Sequence, residues 1–211
     1  MLIHPHEHVP IARLLTFLQH GERMAHDCAR RQARLAADPG ASRFLNGQAR
    51  QEAMHAVVFQ GAIAWLAPRH VRDCPFLPAL EEYRRLLEEA LERQDFFDSL
   101  LAEQVILEGL GEAILMRIEE GLARRHAPFG RLRRILLCQE DAHHGFGRRL
   151  LERAMATGEV DQDALRRRAQ LYLGLTEGMV LTLCDLFDTI HEDAAAWAAD
   201  VKTFLPAWLI T

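Results

Sequence analysis

Cysteine and tyrosine are scarce in this chain, and neither is arranged for the chemistry it most often serves. Only four cysteines occur, Cys28, Cys74, Cys138 and Cys184, and no two stand in a Cys-x-x-Cys pair. Neither a disulfide framework nor a clustered thiol site is therefore expected. Three of the four fall inside helical patterns and read as small buried hydrophobes of a reducing compartment. No uninterrupted apolar stretch approaches the roughly 18 residues of a membrane span, and the opening "MLIHPHEHVP" carries no apolar signal region. A cytoplasmic location without a membrane span is the expectation. Excess positive charge is also missing: the net charge is −5, so the chain lacks the overall basic footprint of a nucleic-acid binder. Two local clusters, Arg131, Arg133 and Arg134 and the run 166–168, sit in amphipathic patterns and read as solvated helix faces. Convincing strand alternation, linkers and low-complexity segments are absent throughout.

What remains is helix. With 49% apolar and 26% charged residues in 211, the chain is long enough to bury a large core as one domain, 1–211. A first helix is expected over about 9–36, stopped by Asp38-Pro39-Gly40. A second begins near Ala41-Ser42 and ends before Pro68. A proline-containing loop through Pro78 leads to an acidic helix over 79–93, and Gln94-Asp95 marks a break before periodicity resumes to about Arg125. Pro128 and Gly130 precede a fifth helix over 131–156, and Asp161 caps a sixth reaching Ile190. A short helix over 194–204 closes the chain. The fold class is all-α: a helical bundle over about 9–156, with additional helices over 161–206.

The informative residues are those that interrupt the apolar stripes of these helices. On the first, Ile11, Leu15, Leu18, Glu22, Ala25 and Ala29 share a face at three- and four-residue steps. On the second the stripe is Leu45, Gln48, Glu52, His55, Phe59, Ala62 and Leu66. Later come Phe97, Leu101, Gln104, Glu108, Gly111 and Leu115, and then Leu136, Glu140, His143, Gly147 and Leu150. Four helices thus each turn a glutamate inward, and two add a histidine one turn later. An unpaired buried carboxylate costs several kcal/mol and four would repel one another, yet no lysine or arginine lies on these stripes. Two divalent cations would balance the four glutamates and leave neutral imidazoles to complete the ligand shells. The halves match: a helix with Glu, then a helix with Glu-x-x-His, the two pairs being "QEAMH" and "QEDAH". Within "QEDAHHGFG", Asp141 and His144 share a stripe with Arg148 and belong nearer an edge. Glu103, the neighbour most easily confused with Glu108, lies off the stripe.

Two single glutamates and two Glu-x-x-His pairs form the ligand set of ferritin-like di-metal carboxylate bundles. Through "ERMAHDC", "QEAMHAVVF", "LEGLGEA" and "QEDAHHGFG" the chain resembles the ferritin-like di-iron oxygenase and oxidase superfamily over about 20–155. Its ligand spacing is nearest to that of the aldehyde-deformylating oxygenases. The resemblance implies Glu22, Glu52, His55, Glu108, Glu140 and His143 as ligands, Glu52 and Glu140 bridging. It also implies two iron ions, or manganese or a mixed pair, O2 as co-substrate, and an external reductase or ferredoxin-type electron donor. The substrate would be small and largely apolar, and a homodimer would suit the family. Departures narrow the reading. Phe59 stands one turn beyond the first pair, where the radical-generating subunit of ribonucleotide reductase carries a tyrosine close by. Only Tyr83 and Tyr172 occur, in other helices, so no stable tyrosyl radical is expected. Gln139 stands where an aspartate often precedes the second pair, which puts its contact in question.

Other residues stay open. Glu112, one turn after Glu108 in "EGLGE", is a candidate catalytic proton donor, an extra ligand, or a polar residue on the helix flank. Glu177 raises the same question more faintly. His4, His6 and His8 suit adventitious metal binding but read better as a disordered polar end. Against the oxygenase stand two alternatives, an iron-oxidising storage protein and a di-iron tRNA hydroxylase. The added helices favour a shaped substrate pocket over a storage shell, and the overall acidity disfavours RNA.

Overall fold

A computed structural model describes residues 3–67, 74–126 and 129–210. Among them there is no strand. Pro68 and Pro128, read above as helix boundaries, lie outside the described residues. After a 3-10 turn at Pro5–Glu7 come α1 (His8–Leu35), α2 (Pro39–Leu66) and α3 (Leu77–Glu92). Next are α4 (Phe96–Leu100), a π-helical segment (Leu101–Leu107), α5 (Glu108–Arg124) and α6 (Gly130–Ala156). The chain closes with α7 (Gln162–Leu181), α8 (Cys184–Ile190), α9 (Ala194–Phe204) and α10 (Ala207–Ile210).

Most boundaries fall where the residue chemistry puts them, with three corrections. Asp38-Pro39 opens α2 instead of only stopping α1: the Asp38 carboxylate accepts the Ala41 N–H at 2.7 Å, and Pro39 occupies the first turn, where no N–H is needed. The expected sixth helix breaks after Leu181. There the Thr182 hydroxyl donates to the Met179 carbonyl and the Leu183 N–H to Val180, and Leu183 is buried before α8 begins. The third correction is the π-helical segment, where periodicity alone predicts a continuous α-helix.

Helices α1 and α2 pack along their length, α5 and the π segment lie against α6, and α3 and α9 both pack on α7. The core between these layers includes Tyr83, Tyr172, Phe76, Leu80, Leu100, Leu101 and Ile106. Complete burial of one such leucine contributes about 1.5–3 kcal/mol. Buried Asp98 ties α7 to α4, accepting from Arg168 at 3.0–3.1 Å and from the Tyr172 hydroxyl at 3.3 Å. Arg168 is therefore a structural cation, not part of a solvated face. The cysteines also differ from expectation. Cys28 alone is buried, Cys74 is half-buried, and Cys138 and Cys184 are exposed, because the last two point away from the core side of their helices. At the N-terminus, buried Glu7 accepts two hydrogen bonds from Arg125 at 2.8 and 3.0 Å, which holds its carboxyl down at about 2 and anchors the 3-10 turn. His4 and His6 are exposed on that ordered turn, not on a disordered end.

Candidate metal centre

The six residues singled out by the stripes meet in the interior. Glu22 comes from α1, Glu52 and His55 from α2, Glu108 from the start of α5, and Glu140 and His143 from α6. All are buried. Their ligand atoms form two groups, each within 4.8 Å: Glu22, Glu52, His55 and Glu140, and Glu52, Glu108, Glu140 and His143. Glu52 and Glu140 belong to both groups.

Each imidazole turns Nδ1 inward. His55 Nδ1 lies 3.0 Å from Glu52, 3.0 Å from Glu140 and 3.2 Å from Glu22. His143 Nδ1 lies 2.9 Å from Glu52 and 3.7 Å from Glu108. Despite this crowding, both Glu52 oxygens, Glu140 Oε1 and His143 Nδ1 are buried without an aligned hydrogen-bond partner. Close approach without alignment is what donor atoms show when they converge on a common point. Hard carboxylates with imidazole suit iron or manganese, so the residues fit a pair of such ions.

Electrostatics agree. Burial first, then the Glu140 charge, pushes the Glu22 carboxyl well above the usual range. Burial, with Glu52 and Glu140, does the same to Glu108. Burial also works against charge on His55 and Glu52, but here their neighbours prevail. Glu140, Glu22 and Glu52 raise His55, and His143 and His55 lower Glu52. Without cations the site balances itself with protons, which metal would displace.

The outer contacts were only partly anticipated. His55 Nε2 meets Gln139 at 2.8 Å, and His143 Nε2 meets Gln51 at 2.7 Å. Each glutamine precedes the glutamate of one pair and holds the histidine of the other. The contact questioned at Gln139 is thus made, by a neutral acceptor. Gln48 donates to Glu108 at 2.6 Å and accepts from Gln104 at 3.3 Å, while Gln104 and Gln32 exchange amide hydrogen bonds at 2.7 and 2.9 Å. Gln32 lies outside the motifs, and only the packing of α1 on the π segment brings it here. Gly147 allows that segment to approach α6: a Cβ there would stand 2.4 Å from the Gln104 Cβ.

Other candidates are placed elsewhere. Glu112 is in neither ligand group; it meets Nδ1 of buried His144 at 2.9 Å. Asp141 and Glu177 are exposed. Among the described residues, none of His4, His6 and His8 belongs to a possible metal group. Sequence reasoning missed Glu103, which is fully buried beside the centre. As the first residue of "EQVILE" it sits five residues before Glu108, about 140° round an ideal α-helix. In the π-helical turn the Glu108 N–H instead reaches the Glu103 carbonyl, and the two stack on nearly one face. A glycine- and proline-free apolar run gave no sign of that widening.

Two spaces adjoin the centre. A cavity of about 30 Å³ between α1 and α5 is lined by Phe17, Leu18, Glu22, Glu103, Glu108 and Glu140, among others, with Gly21 and Gly111 at its wall. On the imidazole side, a groove of about 480 Å³ between α2 and α6 is lined by Phe44, Gln51, Arg131, Arg134, Gln139 and His143, among others. No protein-family model and no curated protein matches the chain.

Proposed function

We infer that the chain is a ferritin-like di-metal carboxylate protein, its four ligand helices forming the bundle, and that it activates O2 to oxidise a small, largely apolar organic molecule. One observation carries this reading: six buried side chains from four helices make two ligand groups sharing Glu52 and Glu140. Two iron ions, or manganese, would be held by Glu22 and His55 on one side and Glu108 and His143 on the other, with Glu52 and Glu140 between. When bound, such ions supply reducing electrons to O2, and an external donor restores them.

The chain's own residues do the rest. Gln139 and Gln51 fix the imidazole planes, and Gln48 restrains Glu108. Phe17, Leu18, Leu107 and Leu110 supply the apolar wall of the 30 Å³ cavity beside Glu22 and Glu108. Glu112, bonded to His144, acts in this reading as a proton carrier and not as a ligand. The larger groove ends on the far edge of His143, so the imidazole separates its contents from the metals. Arg131 and Arg134 there are the feature that favours the RNA-modifying alternative.

The test is elemental analysis with oxygen uptake. The reading expects about two iron or manganese ions per chain, and O2 consumption by the reduced protein that is lost in Glu52→Ala. A metal-free chain of unaltered stability would refute it. Iron accumulating to tens of ions per chain in a hollow assembly would replace it with storage.

A further inference from the structure

Glu103 is 0% exposed, and both of its oxygens lack a hydrogen-bond partner. Glu52 shares both properties, but it lies 3.0 Å from His55 and 2.9 Å from His143, and no ion pair is found for Glu103 among the described residues. Glu7 has Arg125, Asp98 has Arg168, and Glu108 has Gln48. Two polar neighbours, Tyr83 and Gln104, are committed elsewhere. The Tyr83 hydroxyl donates to the Ala102 carbonyl, and the Gln104 amide is engaged by Gln32 and Gln48. The charges that act on it, those of Glu52 and Glu140, are of like sign. It lines the same small cavity as Glu22, Glu108 and Glu140, and the π-helical turn presents it on the face that carries Glu108.

Two divalent cations offset four carboxylates; Glu103 is a fifth, whose charge the pair leaves uncompensated. We propose that Glu103 is a metal-ligating residue, holding a third divalent cation in the cavity it shares with Glu22 and Glu108. It lies outside the two convergent groups, so this third position is a separate and weaker one, beside the pair and not within it. The cavity has room for one ion or one water. An unpartnered carboxylate offers both oxygens, and the neighbouring terminal glutamates offer a second oxygen each. The π turn is the device that supplies the ligand, because an α-helical turn would carry Glu103 away from the cavity. The inference rests on the di-metal reading but is tested apart from it.

The experiment is Mn2+ binding to the full chain after chelator treatment, by equilibrium dialysis with electron paramagnetic resonance of the free ion. Wild type is expected to bind three ions, two tightly and one at least tenfold more weakly, and Glu103→Gln two. Circular dichroism confirms that the variant is folded. Equal numbers and affinities in wild type and Glu103→Gln would overturn the inference and leave the pair intact, whereas no Mn2+ bound to wild type would overturn both. Should Glu103→Gln fail to fold, anomalous diffraction from Mn2+-soaked wild-type crystals decides. An ion about 2.0–2.6 Å from a Glu103 oxygen supports the proposal, and no ion there refutes it.

Discussion

At the scale of single residues, the buried Glu/His cluster is held in place by groups outside it. Gln51 and Gln139 each hold a histidine from the opposite pair, and an imidazole freed to rotate is a poorer ligand. Gln51→Leu and Gln139→Leu are each expected to weaken metal affinity by about 10–100-fold, read by competition with a chelator. Glu112→Gln leaves metal content unchanged and slows oxygen consumption by about 100-fold or more if the residue carries protons. Loss of one ion in that variant would make Glu112 a ligand instead. Gly147 is a matter of space, since its missing Cβ would stand 2.4 Å from that of Gln104. Gly147→Ala should destabilise the fold by about 1–3 kcal/mol through overpacking, measured by urea denaturation.

At the scale of elements, the π-helical segment and α7 have opposite relations to the sequence. The widened turn brings Glu103 and Glu108 onto nearly one face, and it is stable because Leu101, Ala102, Val105 and Ile106 are fully buried around it. Local propensity in "LLAEQVILEG" favours a plain α-helix, so the packing of α1, α6 and α7 against this stretch has to impose the bulge. Helix α7 is held by an ion pair between half-buried Arg168 and buried Asp98, which its arginine run disguised as solvated surface. Arg168→Ala strands the Asp98 carboxylate with only Arg93, at 3.3 Å, and Tyr172. A loss of about 2–4 kcal/mol is expected, visible as a lower urea midpoint with α7 amides exchanging faster.

At the scale of the whole molecule, a metal ion held by the buried charge cluster would compete with protons for it. In the metal-free chain burial raises the Glu22, Glu103 and Glu108 carboxyls well above the usual 4.5, and neighbouring carboxylates raise His55 above 6.5. Above the carboxylate range the folded chain therefore binds more protons than the unfolded one. Its stability falls as pH rises. Glu52, lowered, acts only below about 4.5. Melting of chelator-treated protein should drop steadily between pH 5.5 and 8, and a flat profile would contradict this charge arrangement. Saturating metal reverses the trend, because cations displace the protons. At a hundredfold excess over Kd each bound ion adds about 2.7 kcal/mol, or roughly 5–10 °C in Tm per ion for a chain of this length.

The sequence by itself determined most of the helices and which six buried Glu and His side chains converge. A glutamate inside an apolar stripe is a local contradiction, and four at matched intervals have few physical resolutions. The 3.6-residue period fixes which face each occupies. It also placed Asp141 to the outside and separated α3 from α4 at Gln94-Asp95. Only the tertiary structure decided which residues surround that cluster. That Gln139 serves His55, that Gln32 joins the network at Glu108, and that His144 is buried against Glu112 depend on distances between helices, which periodicity does not encode. The π turn belongs with these. A helix adopts it when neighbouring packing outweighs the poorer backbone geometry, so the inward position of Glu103 became legible only once the surrounding helices were in place.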